Sequence, residues 1–423
     1  MSIGLFLYFL PICYRSFPDK FVFKLIVAYI CVIEKENMAH YLESKPRYEV
    51  LDGLRGVAAI IVVLFHLFEC YPGNLLSVYV SHGYLAVDFF FALSGFVMGY
   101  AYDDRWEKMS VADFIKRRII RLHPMVVFGA VVGVCLFYYT GGIELYNQVD
   151  NAVWWMVLLQ GLLMICMIPL RPSMDIRGWG ELTSINGPIW TLMYEYVANI
   201  LYLLVLRHLS KIALGVLVVL SAVLTADLTL HLNLFGLLQE GAANYSVAGG
   251  YALTSEQVYI GYTRLLCPFL MGLLLSRIGK KITVPGGFWT ISLILILMLI
   301  MPVLGGENRI VDGAYQLICI LVLFPLILTM GAGSKLTGER SLAFCRFLGN
   351  ISYPLYITHY PLIYMQTSWK LRYPDAPVST HIMVGVSTLI IAIFIAWAAF
   401  KLYDEPIREW LTKHWARKNS NKQ

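Results

Sequence analysis

An arginine and a histidine interrupt an otherwise apolar stretch, LDGLRGVAAIIVVLFHLF, which begins at Leu51. The stretch is long and apolar enough to cross a bilayer as a helix. On that helix, the eleven steps from Arg55 to His66 return the two side chains to within roughly 20° of one face, about 16 Å apart along the axis. An arginine near a helix end can be an interfacial anchor, whereas a histidine in hydrocarbon normally faces a cavity or a partner. The spacing predicts one polar face at two depths.

Four further ionisable residues lie inside apolar segments. They are Asp88 in HGYLAVDFFFALSGF, Glu195 in NGPIWTLMYEY, Arg264 in YTRLLCPFLMG and His359 in LGNISYPLYITHYPL. Counted from the ends of their segments, all four reach a depth similar to that of His66. Each can be one half of a structural pair, but five such groups at one depth predict a polar chamber that opens to the outside.

A second cluster of charge lies in the segment MSVADFIKRRIIRLHP. It reads as a helix capped by Ser110, with Asp113 three residues later as an approximate capping box. Arg117, Arg118 and Arg121 are three and four residues apart, so their guanidinium groups can share one face. Such a face binds phosphate through arginine forks, or it contacts anionic lipid and fixes the cytoplasmic side. Both interpretations stay open at this point.

Composition indicates the kind of molecule that positions these residues. Hydrophobic residues make up 58% of the 423 residues and charged residues only 14%, which is typical of a polytopic membrane protein and predicts an all-α fold. The formal net charge of +6 fits cytoplasmic loops and does not indicate nucleic-acid binding. The eight cysteines show no metal-ligand spacing. Hydropathy gives eleven candidate spans, near 52–71, 83–102, 122–140, 151–170, 188–206, 212–230, 257–276, 287–304, 312–330, 347–366 and 381–402.

The chain divides into three predicted parts. Residues 1–45 form an N-terminal extension, 46–405 one membrane domain, and 406–423 a basic cytoplasmic tail. Met38 precedes a polar lead into the first span, so either Met1 or Met38 can begin the working protein. A signal peptide is the alternative for the extension, although no small-residue cleavage site is evident there.

Basic residues in the connections set the topology, because short cytoplasmic loops hold the excess of lysine and arginine. Six of them lie between the second and third candidates, which places that connection and the start of the first span inside. If the segment 151–170 also crossed, all later basic connections and the basic tail would fall outside. We therefore predict ten crossings and one apolar segment, 151–170, that re-enters or lies along the outer surface. Both termini are then cytoplasmic.

At this point the sequence resembles acyltransferase family 3, the polytopic membrane O-acyltransferases that modify bacterial surface carbohydrates. The matching motifs run in family order from about Leu51 to Tyr403: LDGLRGVAAIIVVLFH, GYLAVDFFFALSGF, RRIIRLHP, GPIWTLMYE and LGNISYPLYITHYPL. The resemblance implies a multi-pass protein of the bacterial cytoplasmic membrane. It also implies functional roles for five residues, Arg55, His66, Arg117, Arg118 and Arg121.

The resemblance further implies the two substrates. Acyl-coenzyme A, usually acetyl-CoA, is the donor on the cytoplasmic side, and the acceptor is a hydroxyl of a saccharide at the outer face. Neither a metal nor a permanently bound cofactor is expected. Many members add a soluble hydrolase-like domain after the last span, so a mechanism that needs this domain would require a separate periplasmic or glycan-synthesis protein as partner.

Residues and resemblance together support one mechanistic hypothesis. The arginines of RRIIRLHP, with Arg55, hold the phosphates of coenzyme A, and neutral His66 acts as general base on the acceptor hydroxyl. Glu195 or Asp88 orients the second imidazole nitrogen. The oxyanion is stabilised by one of three groups that the sequence does not rank, namely Arg264, Tyr356 or a backbone amide.

Besides a receptor or assembly protein whose buried charges only pair with one another, two alternatives stay open at this stage. In the first, His66, His359 or Ser94 carries the acyl group covalently between the two faces. In the second, the chain is a transporter of a lipid-linked sugar or another solute, and the polar chamber binds that solute during alternating access. The sequence specifies neither the acceptor glycan nor the choice between an acetyl and a succinyl group, and it does not indicate an oligomeric state.

Overall fold

The structure is a computed structural model that describes residues 45, 47–69, 71, 80–239, 244–306, 308–336 and 338–416. Within these ranges the regular elements are all helices, which confirms the predicted all-α membrane fold. Most of the predicted extension, 1–44, and the end of the predicted tail, 417–423, lie outside the described residues.

Thirteen α-helices make up this part of the chain. They are α1 Glu49–Glu69, α2 Ala86–Tyr102, α3 Val111–Leu136, α4 Trp154–Ile165, α5 Trp190–Leu204, α6 Lys211–Thr229, α7 Ser255–Ile278, α8 Phe288–Leu299, α9 Arg309–Ile318, α10 Phe324–Gly333, α11 Glu339–Arg372, α12 Val378–Ala399 and α13 Glu405–Leu411. A π-helical turn, Cys319–Leu323, joins α9 to α10, and another, Phe400–Asp404, joins α12 to α13. Short 3₁₀ turns lead into α2 and α5 at Gly83–Leu85 and Gly187–Ile189.

The start of α3 follows the predicted capping box. Ser110 Oγ accepts a hydrogen bond from the Asp113 backbone N–H at 3.1 Å, and Asp113 Oδ2 accepts one from the Ser110 backbone N–H at 3.3 Å. These reciprocal bonds satisfy two donors that a helix start otherwise leaves unpaired. The cap therefore fixes the position of the three arginines that lie in the second and third turns of α3.

The bundle has two distinct ends. We call the end that carries the start of α1 and the start of α3 the basic end, and the end that carries the long connections 137–186 and 230–254 the loop end. Eight helical segments are long and apolar enough to cross a membrane, so the chain is a multi-pass membrane protein. Two further helices, α8 and α11, bring the number of segments to the ten predicted crossings. The helix α11 has 34 residues but is less apolar, and α8 has only 12.

The short helix α8 nevertheless connects both ends of the bundle. At the basic end, a Cβ on Gly53 would lie 2.8 Å from the Phe288 ring, so α8 begins beside the start of α1. At the loop end, His82 Nδ1 lies 2.7 Å from the carbonyl oxygen of Met301. The extended residues after Leu299 supply the remaining length. In the described part of the chain, ten helical segments therefore run from the basic end to the loop end.

The helix α4 does not run from one end of the bundle to the other. Just before it, the Tyr138 hydroxyl donates to the carbonyl oxygen of Ala152 at 2.8 Å. Just after it, the Leu170 N–H donates to the carbonyl oxygen of Leu182 at 2.9 Å. All these partners belong to the loop end, and 12 residues reach only about 18 Å, against roughly 30 Å for a hydrocarbon core. The segment 151–170 leaves and returns at one end, as predicted.

Two close helix pairs position the polar residues. The helix α11 packs along α1, and α2 packs along α7. Gly56 of α1 faces the Leu348 backbone, and Gly272 of α7 faces the Ala92 backbone. Small residues let helix backbones approach closely inside membranes. The first pair sets the polar face of α1 against α11, and the second sets the acid of α2 against Arg264 of α7.

Candidate active site

Four cavities follow one another from the basic end to the loop end, and each shares wall residues with the next. We name them in order the basic mouth, the inner cavity, the His66 chamber and the outer vestibule. The basic mouth and the inner cavity share Arg55 and Arg121. The inner cavity and the His66 chamber share Val87 and Tyr356. The chamber and the vestibule share His66. The series marks a path through the bundle.

The basic mouth is lined by eight cationic side chains and two carboxylates. The cations are Lys45, Arg47, Arg55, Arg105, Arg117, Arg118, Arg121 and Arg408, and the acids are Asp52 and Asp404. The predicted clustering of the α3 arginines is confirmed as geometry. Arg47 and Arg408 were not predicted as site residues, because Arg47 precedes the first span and Arg408 follows the last one, and only the fold brings them to the α3 arginines. A mouth of this charge attracts anions.

Arg55 joins two helices as well as lining two cavities. Its Nε donates to Ser352 Oγ at 2.8 Å and its Nη2 donates to the Gly349 carbonyl oxygen at 3.0 Å, both on α11. Asp52 Oδ1 lies 3.4 Å from the same Nη2. The guanidinium therefore stands at a fixed position between the basic mouth and the inner cavity. His66, eleven residues later, lines the His66 chamber, so the predicted separation in depth is also confirmed.

Glu195 lies in the inner cavity and not beside His66. Its Oε1 accepts hydrogen bonds from Arg118 Nη2 at 2.7 Å and from Ser94 Oγ at 3.3 Å. The predicted convergence of Glu195 with His66 is therefore wrong, because counting depth by backbone position ignored the reach of a long arginine side chain. A partly buried carboxylate is stabilised by the nearest available cation. Because the positive charge of Arg118 is balanced by Glu195, Arg118 attracts a phosphate less strongly than an unpaired arginine would.

The inner cavity is narrow. Its volume is about 130 Å³, against about 390 Å³ for the basic mouth and about 380 Å³ for the His66 chamber. Apolar side chains of α2, among them Phe90, Phe91 and Leu93, form much of its wall. Such a space suits an extended chain better than a ring system of the size of a nucleoside.

Asp88 and Arg264 form a buried ion pair. Asp88 is 0% exposed and Arg264 3%. Arg264 donates from Nε and Nη2 to the two carboxylate oxygens at 3.3 and 2.8 Å, and also to the carbonyl oxygens of Gly249 and Tyr84 at 3.0 and 2.7 Å. Both acid oxygens face this fork, so the hypothesis that Asp88 orients His66 is wrong. Arg264 lines the His66 chamber. The four bonds use four of its five N–H donors, so one donor remains.

Glu69 takes the place beside His66 that we had assigned to Glu195 or Asp88. His66 Nδ1 lies 2.7 Å from Glu69 Oε2, one helical turn further along α1. A carboxylate only accepts, so Nδ1 carries the proton and the lone pair lies on Nε2. This is the arrangement of an acid that orients a general base. The i to i+3 spacing on α1 was a usable signal that the sequence analysis missed.

His359 lies directly behind His66. Their ring centroids are 5.6 Å apart, and the Tyr360 ring stands edge-on to His66 at 4.7 Å. His359 Nδ1 donates to the Tyr356 carbonyl oxygen at 2.9 Å, which leaves Nε2 with the lone pair. That nitrogen is buried and has no hydrogen-bond partner among the described residues. His359 is thus near the site, as predicted, but it is 0% exposed.

Tyr356 stands between the inner cavity and the His66 chamber and lines both. Its hydroxyl lies 2.9 Å from Thr191 Oγ1 on α5, and its ring meets the edge of Phe90 at 5.6 Å. Val87 of α2 is the other shared wall residue. A group that passes from one cavity to the next therefore passes between these two side chains.

A second carboxyl group lines the His66 chamber. Glu181 is 6% exposed, and its Oε2 accepts a hydrogen bond from the Tyr364 hydroxyl at 2.5 Å. Burial raises the pKa of Glu181 to about 7, against the opposing effects of the Tyr364 bond and of Arg177; Asp175 and Glu69 raise it further. The sequence analysis missed Glu181, which lies in a connection without apolar periodicity.

The rest of the chamber wall is aromatic. Its rings belong to Phe65, Tyr84, Trp179, Trp190, Tyr251, Tyr356 and Tyr360. Apolar ring faces combined with a few carboxylate groups form a surface that can stack on a sugar ring and hydrogen-bond its hydroxyl groups. Within the described residues no group of His, Cys, Asp and Glu side chains has the geometry of a metal site.

Known proteins resemble this chain over most of its length. The family described as "Acyltransferase domain" matches residues 48–401. The O-acetyltransferase OatA of Staphylococcus aureus is 24% identical over 404 residues, which cover 86% of this chain and 58% of OatA. A putative O-acetyltransferase of the same species is 22% identical and covers 85% of this chain and 57% of its own length. Protein 2 in the picA locus of Rhizobium radiobacter is 34% identical over 170 residues, 38% of this chain and 83% of that protein. No solved structure matches significantly.

The chain thus spans less than two thirds of the length of the two O-acetyltransferases it matches. The family match, in contrast, covers well over half of this chain and contains all the motifs quoted above. It also contains every residue that we placed at the four cavities except Lys45, Arg47 and the residues after 401. The chain therefore belongs to acyltransferase family 3.

Proposed function

We propose that this protein transfers an acyl group from acyl-coenzyme A, bound at the basic end, to a hydroxyl group of a saccharide in the His66 chamber. One observation carries the proposal: a series of cavities leads from a mouth with eight cations to a histidine oriented by a carboxylate. The similarity to O-acetyltransferases supports acetyl as the group transferred.

The donor would bind with its phosphates in the basic mouth. Arg117 and Arg121 on α3, with Arg47 and Arg408 from separate segments, line this mouth. Guanidinium forks match phosphate oxygens in geometry and charge. Arg118 serves mainly to hold Glu195. The pantetheine arm would extend along the narrow inner cavity and bring the thioester to the level of Tyr356.

His66 would act as the general base. As the acceptor oxygen attacks the thioester carbon, its proton passes to His66 Nε2, and Glu69 stabilises the imidazolium that forms. The carbon–sulfur bond then breaks, the coenzyme A sulfur leaves with the electron pair, and the imidazolium returns the proton to it. Atoms and charge balance without a cofactor. Direct transfer of this kind needs no acyl group on Ser94 or His359.

The oxyanion that forms during attack needs a donor. Two of the three groups considered in the sequence analysis line the chamber, namely Arg264 with its one remaining N–H and the Tyr356 hydroxyl. Tyr356 stands at the junction of donor and acceptor cavities, so we assign the oxyanion to Tyr356, whose hydroxyl proton would turn from Thr191 Oγ1 to the oxyanion. Arg264 is assigned to holding the chamber together through its bonds to Asp88 and to two carbonyl groups.

We further propose that the basic end is cytoplasmic, that both termini lie on that side, and that the membrane is the bacterial cytoplasmic membrane. The concentration of cations at the basic end supports this orientation. Acyl-CoA is made and kept in the cytoplasm, and a saccharide on the outer side reaches the chamber through the outer vestibule. A separate periplasmic or glycan-synthesis protein as partner is an additional proposal.

The direct test uses the purified protein with radiolabelled acetyl-CoA. We expect saturable binding of acetyl-CoA and slow hydrolysis of its thioester without an acceptor. Removal of the general base should reduce the hydrolysis and leave the binding unchanged. A transporter of this size would do neither, so absence of both binding and hydrolysis would contradict the proposal. Mass spectrometry of surface glycans after deletion of the gene would then identify the acceptor through loss of a defined acyl increment.

A further inference from the structure

The His66 chamber holds a carboxyl group that acyl transfer as proposed above does not use. Glu181 lines the chamber and contributes one oxygen, Oε2, to the Tyr364 hydroxyl. Its other oxygen lies next to Gly187, because a Cβ placed there would be 2.6 Å from Oε1 and 2.8 Å from Cε1 of Tyr360. The Tyr360 ring in turn packs edge-on against His66 at 4.7 Å. Glu181 and His66 thus border the same aromatic ring.

The structure constrains this carboxyl group tightly. Gly187 begins the 3₁₀ turn before α5, and any larger residue there would collide with both Glu181 and Tyr360. The Tyr364 ring packs against the Tyr360 ring at 4.6 Å, so the hydroxyl that binds Glu181 is itself held by a neighbour. A carboxyl that served only to satisfy Tyr364 would not need to line a cavity. Here it is presented to the chamber at a defined position.

The charge of the chamber limits what can enter it. Its lining holds two carboxyl groups, Glu69 and Glu181, and one cation, Arg264. The cation is already paired with the buried Asp88 at 2.8 Å. A ring that carried its own carboxylate or phosphate would meet two acidic groups and no unpaired cation in this lining, and like charges at close range are unfavourable. Hydroxyl groups, in contrast, donate readily to carboxylates.

We propose that Glu181 binds a second hydroxyl of the acceptor sugar, and that the ring which receives the acyl group is uncharged. This inference rests on the proposed function and deepens it, because it assigns an acceptor-binding residue and a substrate class to the His66 chamber. The hydroxyl to be acylated lies at His66 Nε2, and Glu181 Oε1 fixes the rotation of the ring. The aromatic wall supplies the stacking surface.

The test measures sugar binding without turnover. The purified full-length protein is titrated with methyl glucoside and with methyl glucuronide, which differ only at C6, where the first has a hydroxymethyl group and the second a carboxylate. Binding is followed by tryptophan fluorescence, since Trp179 and Trp190 line the chamber. We expect the glucoside to bind at least about tenfold more tightly than the glucuronide. Glu181→Gln should weaken glucoside binding by about tenfold, the usual loss for a hydrogen bond to a charged group. Asp375→Asn, which changes an exposed acid at the loop end that lines none of the four cavities, is the matched control and should not.

Three outcomes would overturn the inference. They are equal binding of the glucuronide and the glucoside, glucoside affinity unchanged in Glu181→Gln, and absence of saturable glucoside binding by the wild-type protein. The comparison of the two glycosides needs no variant, so it tests the uncharged ring even where Glu181→Gln fails to fold. Acetyl-CoA hydrolysis, measured separately, tests the proposed function. Normal hydrolysis with failed glycoside discrimination would reject this inference and leave the proposed function standing.

Discussion

Replacing Glu69 tests whether His66 needs an orienting acid. In Glu69→Gln the amide oxygen can still accept from His66 Nδ1, so the tautomer is kept but the negative charge is lost. In Glu69→Ala both are lost, and the imidazole is free to carry its proton on Nε2, where it cannot act as a base. We expect kcat/KM for the acceptor to fall in both variants, and further in Glu69→Ala.

The size of the effect follows from the geometry. The Nδ1 to Oε2 distance is 2.7 Å, and the Glu69 side chain is 50% exposed. A hydrogen bond to a charged group contributes about 1.5–3 kcal/mol, and solvent screening at a half-exposed carboxylate favours the lower value. A loss of about 1.5 kcal/mol in the transition state corresponds to roughly a tenfold lower rate. Replacing a fully buried acid at the same position would lower the rate further.

The assay is transfer of labelled acetyl from acetyl-CoA to an acceptor glycan in membrane vesicles. Asp375→Asn serves as control, because it also removes one acidic group at the loop end but lines none of the four cavities. The acetyl-CoA affinity of each Glu69 variant should match that of the wild type, since Glu69 lies far from the basic mouth. If Glu69→Ala retained wild-type kcat/KM for the acceptor, the assignment of Glu69 as the orienting acid would be refuted.

Three further predictions concern other parts of the path. Arg121→Glu should weaken acetyl-CoA binding by about tenfold or more, because it puts an acid among the phosphates. Arg340→Glu, at an exposed position outside the mouth, should not weaken it. Calorimetry measures both affinities, and equal values would mean that Arg121 only sets the topology. Val87→Trp fills the junction between the inner cavity and the chamber, so transfer should fall by about a hundredfold while acetyl-CoA binding persists; unchanged transfer would mean that the acyl group takes another route. The acceptor KM should fall as pH rises through about 7, where Glu181 loses its proton and becomes a pure acceptor; a profile that Glu181→Gln leaves unchanged would assign the titration to another group.

Much of the architecture could be predicted from periodicity and charge. The helix that carries Arg55 and His66, the capped helix with three arginines and the non-crossing segment 151–170 all follow from short-range patterns: apolar length, i to i+4 spacing and loop charge. These patterns act within one segment or between neighbouring segments. The structure places Arg55 and His66 in cavities at different depths, so a one-dimensional count was sufficient for them.

The choice of partners could not be predicted in the same way. Counting residues gives Glu195 and His66 similar depths, yet Glu195 bonds to Arg118, whose long side chain reaches across from α3. Asp88 forms an ion pair with Arg264, because a buried charge pairs with the nearest opposite charge. Side-chain reach and helix adjacency decide these pairs, and neither is encoded in segment hydropathy.

The residues that were missed lie where no strong pattern exists. Glu181 is in an irregular connection whose route over the chamber depends on the Gly187 turn and on Tyr364 of α11. Arg47 lies at the start of the membrane domain and Arg408 in the tail that follows it, and the two meet only in the fold. Glu69 was detectable, one turn from His66, but a single acid at a helix end is usually solvated.

The central claim is that His66 removes the proton of the acceptor hydroxyl. The most direct measurement compares wild-type protein with His66→Ala in one experiment that records acetyl-CoA binding and acetyl transfer to the acceptor. We predict unchanged binding, because His66 lies outside the basic mouth and the inner cavity, and a fall in transfer of about 10²- to 10⁴-fold. A His66→Ala protein that inserts normally and transfers acetyl at the wild-type rate would contradict the mechanism.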